Sequence, residues 1–433
     1  MKISQFQKYC VHSITEMEPY SIIFERVGKE MNGKLIRQMI PIFASSFVAW
    51  FYCMIYTPLG LIYNTYPGQD ALVMTIATLP GIIAMIGGFA AAALLIKMGS
   101  KSVVVLSLVL MIVGGMICRF LGTSGIHFAI IGSALTGFAA GGIPAANYSA
   151  LASIVPASFK DKVFGWSDAL CQAGLIAVGF LAGIFAAKGD WTHSFNVYYI
   201  AIVVLVIVLI AYPKNCNAEE AAAEAETGVK EKARIPGSVI GLIVIKFMTA
   251  LFYMGLSLFI SDLVINELQI GSAAVVGTIT SLASVVATIS AVIVFIWLKV
   301  FKKTSTMVAG VFLGVMMLIV SLSRSLPVIF ACSLIMQIGM NTQHSSYGTV
   351  LANATKGKAV GVAAGIFSGA TFIGEALGGY LNPWLANTIF KSTAASVCMR
   401  TSAIGMIIVA IISFFVFSKV YKLAFPDGKV KEQ

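Results

Sequence analysis

Apolar stretches long enough to cross a lipid bilayer recur along almost the whole chain, and they restrict the fold more than any other feature. A helix of roughly 20 residues crosses a hydrocarbon core about 30 Å thick. Within that core the backbone must satisfy its own hydrogen bonds, so a chain crosses it as helices or as a closed barrel. Barrel strands alternate between apolar and polar residues, whereas the stretches here are continuous. We therefore predict an all-α polytopic membrane protein.

The composition agrees with this prediction. The chain is 58% hydrophobic and 11% charged, whereas soluble domains carry about 25% charged residues. Twelve transmembrane helices are predicted. The predicted spans are residues 39–63, 71–96, 103–122, 127–153, 163–187, 194–213, 236–262, 271–298, 305–322, 327–351, 361–387 and 396–418.

Lysine and arginine residues are concentrated in alternate loops. With the spans as predicted, 23 of the 29 basic residues lie on the side of the membrane that carries both termini. An excess of this kind is typical of cytoplasmic loops. We therefore predict a multi-pass protein of the plasma (bacterial inner) membrane with both termini in the cytoplasm. We attribute the net charge of +11 to this excess of basic residues in the loops. The predicted partner is the lipid bilayer, and no nucleic-acid partner is predicted.

One long polar segment, residues 214–234, separates the spans into two sets of six. The segment is acidic and alanine-rich and then basic, which is typical of a solvated cytoplasmic linker. We predict an N-terminal six-helix bundle at 39–213, a C-terminal six-helix bundle at 235–421 and a cytoplasmic tail at 422–433. The N-terminal tail, 1–38, is predicted to be either a helix lying on the inner leaflet or a disordered segment.

The two sets of spans resemble each other in sequence. AWFY at 49–52 corresponds to ALFY at 250–253, and ALAS at 150–153 corresponds to VLAN at 350–353. Three further pairs are KVFG at 162–165 with KAVG at 358–361, GFLAG at 179–183 with GEALG at 374–378, and KMGSK at 97–101 with KVFKK at 299–303. The offsets are all about 200 residues, which indicates two pseudo-symmetric bundles arranged as a parallel repeat.

With twelve spans, a central linker and two degenerate motifs, the chain resembles the major facilitator superfamily of secondary transporters after residue 38. The family's loop signature, Gly-x-x-x-Asp-Arg-x-Gly-Arg-Arg, corresponds to AALLIKMGSK at 92–101, where Ile96 replaces the acidic residue. The family's exporter-type motif, Gly-Pro-x-x-Gly-Gly, corresponds to GFLAGI at 179–184 and GEALGG at 374–379, both without the proline. No subfamily is assigned.

The resemblance implies a definite arrangement of helices. The first, fourth, seventh and tenth helices are expected to line a central cavity, and the second, fifth, eighth and eleventh to form the interface between the halves. Transport is then expected to proceed by alternating access, in which the halves rock around a site near the midplane.

Two residues of opposite charge, Lys246 and Glu375, lie near the middle of apolar spans. A charge in this position costs about 2.5–3.5 kcal/mol on insertion scales, so it faces water, a partner or a substrate. Lys246 is predicted either to bind an anionic group of the substrate or to form an ion pair with Glu375. Glu375 is predicted either to exchange protons during a transport cycle or to be held by a neighbouring donor. Glycines 361, 365 and 369 are predicted to let another helix approach this span.

Other polar and aromatic residues share faces of the predicted spans with these charges. The predicted substrate-binding residues are Lys246, Tyr253, Tyr52, Tyr56, Trp50, Asn147, Gln337, Asn341 and His344. The alternative for the aromatic residues is packing, and for His344 a satisfied polar histidine. Asp168 is a second candidate for proton coupling, with contact to cytoplasmic water or Lys162 as its alternative.

A lysine in an apolar, aromatic cavity suits a small organic anion with a carboxylate. We therefore predict a secondary active transporter of such an anion, coupled to protons or acting by exchange. The alternative is a proton-coupled exporter of multidrug or amphipathic compounds, indicated by Glu375, the partial exporter motif and 19 methionines. A transporter-derived receptor would bind ligand without net flux.

The four histidines show no spacing typical of a metal or catalytic site, and the chain contains no nucleotide-binding loop. We therefore predict no metal, no cofactor and no enzymatic activity. A monomer is predicted, because bundles of this type need no partner.

Overall fold

The computed structural model describes residues 33–156, 159–213, 236–355 and 359–426, and this part of the chain is almost entirely helical. The membrane passes of the first half are α1 (Gly33–Val48, continued by 3-10 turns at Phe51–Tyr56 and a helix at Leu59–Thr65), α2 and α3 (Asp70–Leu121), α4 (Ile126–Ile154), α5 (Lys160–Ala187) and α6 (a 3-10 segment at Trp191–Tyr198 and a helix at Tyr199–Ala211). Those of the second half are α7 (Gly237–Tyr253, Gly255–Asp262 and a π turn at Leu263–Glu267), α8 (Ala273–Phe301), α9 (Ser305–Leu322), α10 (Leu326–Ala354), α11 (Ala359–Phe390) and α12 (Ala395–Ala424).

Twelve passes follow from these elements. Ten segments of the described chain are long and apolar enough to span a membrane. One of them, Asp70–Leu121, contains 52 residues and reverses at Gly99, so it supplies the two passes α2 and α3. The 32 residues of α11 complete the set. The predicted fold class, an all-α protein with twelve membrane helices, is therefore confirmed.

Some predicted boundaries differ from those of the structure. Helix α1 begins at Gly33, before the predicted start at residue 39, and α12 continues to Ala424. Apolarity marks the part of a helix that crosses the membrane core, but a helix that is fixed there continues into the polar region around it. The predicted interfacial helix within residues 1–32 and the predicted linker at 214–234 lie outside the described residues.

The repeat between the halves is visible in the turns. Gly99, between α2 and α3, has φ +74°, and Lys302, after α8, has φ +46°. Gly68, after α1, has φ +76°, and Gln269, after α7, has φ +52°. Left-handed backbone is uncommon for residues other than glycine. Its occurrence in corresponding turns of the two halves supports the duplication that the sequence predicts.

The halves meet along two helix pairs. Helix α5 packs against α8, where a Cβ built on Gly183 would lie 3.1 Å from the Cα of Gly277. Helix α2 packs against α11, where a Cβ built on Gly379 would lie 2.7 Å from Cγ2 of Thr78. Small residues let membrane helices approach closely. The interface implied by the family resemblance, between the second, fifth, eighth and eleventh helices, is therefore confirmed.

We call the side on which α1 begins and α12 ends the terminal face, and the opposite side the distal face. Side chains join the halves near the distal face, at Gly60–Ser261, Asn64–Asn266, Gly60–Asn266 and Thr75–Tyr380. At the terminal ends of α5, α10 and α11, a Cβ built on Gly165, Gly348 or Gly365 would meet nothing within 4 Å. The side-chain contacts described between the halves thus lie near the distal face, whereas these glycines at the terminal ends have open space beside them.

Candidate functional site

A cavity of about 270 Å³ lies between the two halves. Helices α1, α5, α7, α8 and α10 line it, whereas α4 contributes no described residue. The predicted site residues in its wall are Trp50, Tyr56, Tyr253, Gln337 and Asn341. Large aromatic walls with a few placed polar groups are typical of small-molecule sites.

Breaks in α1 and α7 bring side chains and backbone to this cavity. Helix α1 changes to 3-10 turns after Val48 and restarts after Pro58, which lacks the N–H that an uninterrupted helix would use there. Helix α7 is interrupted at Met254, beside Tyr253. Irregular backbone at membrane depth is tolerated where it lines a cavity.

Lys246 lies behind the wall of this cavity. Its side chain is 0% exposed, and its Nζ is 3.0 Å from Nδ1 of His344. The same ammonium lies 4.8 Å from the ring centre of Tyr253 and 5.8 Å from that of Phe367. Lys246 is predicted either to bind an anionic group of the substrate or to pair with Glu375, and in this state Tyr253 is its neighbour that lines the cavity. The Lys246 ammonium extends towards α10 and α11, where it meets His344 and Phe367.

The predicted alternative, an ion pair between Lys246 and Glu375, is not formed: these two described residues make no contact at 4.0 Å or closer. Their charges nevertheless interact at longer range. Lys246 therefore has a nitrogen and two aromatic faces as its near neighbours. The ammonium is buried without a carboxylate in contact among the described residues.

Glu375 lies on the face of α11 that is turned towards α1 and α7. Its side chain is partly exposed, and its carboxylate is within electrostatic range of Tyr52, Tyr56 and Tyr253. Within the described chain no hydrogen bond holds it, so the predicted alternative of a fixed neighbouring donor has no support from this geometry. A carboxylate in this position is available to a proton or a substrate.

Close packing of α11 on α7 brings Glu375 to the face that is turned towards α1 and α7. A Cβ on Gly374 would lie 2.7 Å from the backbone oxygen of Phe247, and one on Gly378 would overlap that of Leu251. Asn382 donates from Nδ2 to the same Leu251 oxygen at 2.9 Å. The predicted set of glycines differs in part from the glycines in contact, because a Cβ built on Gly365 would meet nothing within 4 Å, whereas one on Gly369 would lie 3.1 Å from Sδ of Met85. Glycine spacing alone does not show which neighbour a helix face meets.

The polar face of α10 has divided roles. Gln337 and Asn341 line the cavity, and Asn341 donates from Nδ2 to the Ala287 backbone oxygen on α8. His344, one turn further along, accepts or donates at the Lys246 contact according to its tautomer. Against an ammonium, Nδ1 accepts, so the neutral ring carries its proton on Nε2.

Two predicted site residues lie elsewhere. Asn147 is 1% exposed and bonds to Ser45, Ser46 and the hydroxyl of Tyr212, which makes it part of the packing of α4 on α1. Asp168 is exposed near the terminal end of α5, where the Tyr148 hydroxyl donates to its carboxylate. Neither residue lines the cavity. The sequence shows that Asn147 is an inward polar residue, but this does not distinguish a helix interface from a cavity wall.

Helix α8 contributes residues to the cavity that are not among the predicted site residues. Thr280, Ser284 and Ala287 form one stripe of small residues at spacings of four and three. The stripe is visible in TITSLASVVATIS at 278–290 and could have been found by its period. Cys53, between Tyr52 and Tyr56, also lines the cavity and was not predicted.

One titratable group outside the membrane has a well-defined environment. Asp190 caps the 3-10 segment of α6, accepting from the backbone N–H of Thr192 at 2.8 Å and from its hydroxyl. Burial raises the pKa of Asp190, but the bonds from Thr192 and from His193 outweigh burial and hold that pKa below its usual value.

The sequence matches the family model of the Major Facilitator Superfamily over residues 39–261, just over half of the chain. No curated protein matches the sequence significantly. Solved structures cover nearly all of it. The D-xylose–proton symporter gives a TM-score of 0.68 at 13% identity, over 88% of this chain and 97% of that one.

Two further structures are similar to the same extent. A bacterial homologue of the human lysosomal transporter Spinster, solved in an inward-facing and unoccupied conformation, gives a TM-score of 0.69 at 12% identity, over 92% of this chain and 98% of that one. A variant of the nucleoside transporter NupG gives 0.69 at 10% identity, over 89% and 100%. At these identities the likeness shows the fold alone.

Proposed function

This chain belongs to the major facilitator superfamily, a family of secondary transporters and not of enzymes, and from that premise we propose its cargo. We propose that it moves a small organic anion with a carboxylate group by alternating access, coupled to protons or by exchange. The observation that carries the proposal is Lys246, a fully buried ammonium with no carboxylate in contact among the described residues.

Electrostatics favours an anion beside this lysine. A buried charge is stabilised only when it is paired or well hydrogen-bonded. One hydrogen bond to His344 and two aromatic rings offset part of the cost of burying the ammonium charge, and an arriving carboxylate offsets the remainder. Movement of Tyr253, which stands between Lys246 and the cavity, opens this route.

Glu375 provides the coupling in this proposal. Its carboxylate and an incoming anion compete for the same positive charge, so binding of the anion favours a proton on Glu375. The neutral site then carries one anion and one proton together. The partly exposed position of Glu375 and its long-range interaction with Lys246 support this role.

A proton-coupled exporter of amphipathic compounds is the second candidate. The cavity wall contains Trp50, Tyr56, Met254 and Met340 beside polar groups that carry no charge. Aromatic and methionine side chains adapt to varied ligands. The two candidates differ in cargo, because the exporter has no use for an anion at Lys246.

The orientation and assembly are proposals as well. The basic residues of the predicted loops favour a cytoplasmic terminal face in the plasma membrane. The closed distal contacts then make this structure inward-facing. A monomer is sufficient, since each chain contains both halves of the cavity.

A ligand screen followed by flux measurements tests the proposal. Thermal shift of the purified protein identifies candidate carboxylates, and proteoliposomes then receive a pH gradient that is acid outside. We expect accumulation of a carboxylate in the wild type. Binding without flux would instead indicate a receptor, and transport confined to amphipathic compounds would indicate the exporter.

Replacement of Glu375 by Gln separates coupling from binding. We expect Glu375→Gln to keep exchange of the carboxylate but to lose accumulation driven by the pH gradient, because the neutral amide cannot take up a proton. Asp168→Asn is the matched control and is expected to keep accumulation, since Asp168 is exposed near the terminal end of α5 and its charge does not act on Lys246 as that of Glu375 does. Full accumulation by Glu375→Gln would contradict the assigned role.

A further inference from the structure

A second cavity, of about 500 Å³, lies between the halves near the distal face. Helices α1, α2, α7, α11 and α12 line it, and its wall includes Asn64 and Asn266, whose contact joins the halves. We call it the distal cavity. It is larger than the central cavity of about 270 Å³, and none of its lining residues is shared with that cavity.

Aromatic rings form much of the wall of the distal cavity. They are contributed by Tyr63, Phe259, Tyr380 and Trp384. The Tyr380 hydroxyl is fixed by a hydrogen bond of 2.7 Å with Thr75. The faces of such rings carry negative electrostatic potential and attract ammonium groups. The described residues include no cluster of three or more His, Cys, Asp or Glu side chains that could hold a metal ion.

Two carboxylates give the distal cavity a negative charge. Asp70 begins α2 and Asp262 lies near the end of α7, so they come from different halves. Asp262 accepts a hydrogen bond of 2.6 Å from Asn266, a neutral donor. Among the described lining residues there is no lysine or arginine. The two negative charges therefore face the cavity without a basic partner in its wall.

We propose that the distal cavity is a binding site for an organic cation, namely a quaternary or protonated amine on a small alkyl or aromatic body. The ammonium is attracted by Asp70 and Asp262, and the rings of Tyr380 and Trp384 pack on its alkyl groups. An organic anion is repelled from the same space. This site is separate from the proposed carboxylate site at Lys246 and does not depend on it.

Equilibrium binding of choline tests the proposal directly. The probe is choline, and its uncharged isostere 3,3-dimethylbutan-1-ol has nearly the same shape. With the purified full-length protein, isothermal titration calorimetry is expected to show saturable binding of choline and none of the alcohol. Asp262→Asn is expected to weaken choline about tenfold, and Trp384→Leu roughly threefold.

Matched variants locate the probe. Glu267 lies on α7, as Asp262 does, but its carboxylate bonds to Ser396 and does not line the distal cavity. Glu267→Gln is therefore expected to keep choline binding. Glu375→Gln, in the central region, is expected to keep it too. Equal loss in Glu267→Gln would show diffuse surface attraction, and loss in Glu375→Gln would place choline centrally.

Other results would also overturn the site. Absence of saturable choline binding, equal binding of the alcohol, or full binding by Asp262→Asn and Trp384→Leu would each contradict it. If Asp262→Asn does not fold, Asp70→Asn takes its place, because Asp70 is an exposed residue in the first turn of α2. Lys246→Gln is expected to bind choline normally, which separates this proposal from that of carboxylate transport.

Discussion

Lys246 is stabilised by groups that carry no opposing charge. A hydrogen bond to a charged group contributes about 1.5–3 kcal/mol, and an ammonium over a desolvated ring contributes about 2 kcal/mol. These contributions offset only part of the cost of burying the charge. The distant Glu375 and a transported anion are the groups that complete the compensation in our proposal.

Asp190 provides a residue-scale prediction outside the membrane. Asp190→Ala removes the cap of the 3-10 segment at Trp191–Tyr198, and caps of this kind contribute about 1 kcal/mol. The folded pKa of Asp190 is lowered, so its contribution is complete at neutral pH and is lost as the pH falls through that value. In detergent, the wild type should unfold at a higher temperature than Asp190→Ala at pH 7, and this difference in melting temperature should shrink in acid.

Asp190→Asn is the control for that measurement. Asparagine caps as well as aspartate but does not titrate, so this variant should keep its stability relative to Asp190→Ala at every pH. An advantage of the wild type that persists unchanged in acid would contradict the role given to the carboxylate.

At the scale of elements, the pairing of α11 with α7 positions the site. The contact runs through Gly374 and Gly378 on one side and the backbone of Phe247 and Leu251 on the other. Because the helices touch through backbone, their separation determines how far Glu375 stands from Lys246. A small change in this separation changes the interaction between the charges of Glu375 and Lys246.

Two glycines of α11 give a matched test of that packing. Gly378→Ala places a Cβ against the Leu251 carbonyl, and overpacking costs roughly 1–3 kcal/mol. Gly365→Ala meets nothing within 4 Å and gains helix propensity of about 1 kcal/mol. Melting temperatures should fall for Gly378→Ala and hold or rise for Gly365→Ala. Equal effects of the two variants would contradict the close contact.

The same helix shows what the sequence could predict. The sequence predicts that α11 carries an inward carboxylate and packs closely through glycines, because both follow from polarity and residue size. It does not predict that Gly374 and Gly378 make the contact while Gly365 is free, because that choice depends on the position of α7. For the same reason the sequence does not predict that Asn147 contributes to the packing of α4 on α1, because this depends on where the neighbouring helix lies.

For the whole molecule, the contacts at the distal face define the observed state. Gly60 donates its N–H to the Ser261 hydroxyl at 2.9 Å, and that hydroxyl donates to the Thr57 carbonyl at 2.7 Å. Gly60 and Ser261 occupy corresponding places in the two halves. The sequence predicts two halves and a cavity between them, but it does not specify which end is closed, because both states use the same residues.

Gly60 therefore provides a test of closure. A Cβ there would lie 2.8 Å from the Ser261 backbone oxygen, so Gly60→Val should prevent closing and expose the central cavity to the distal side. Labelling of the native Cys53 by a membrane-impermeant thiol reagent from that side should increase several-fold. Cys53→Ser identifies the signal, and Gly237→Ala, which has open space around it, should label like the wild type. Unchanged labelling of Gly60→Val would contradict the assigned gate.

The most direct test of the account as a whole is carboxylate uptake by Lys246→Gln. The measurement compares this variant with the wild type in proteoliposomes under a gradient that is acid outside. Lys188→Gln, which changes an exposed lysine between α5 and α6, is the control. We predict that Lys246→Gln folds, as judged by its elution and melting behaviour, but loses uptake at least tenfold, whereas Lys188→Gln transports normally. Carboxylate uptake by Lys246→Gln at the wild-type rate would contradict the account.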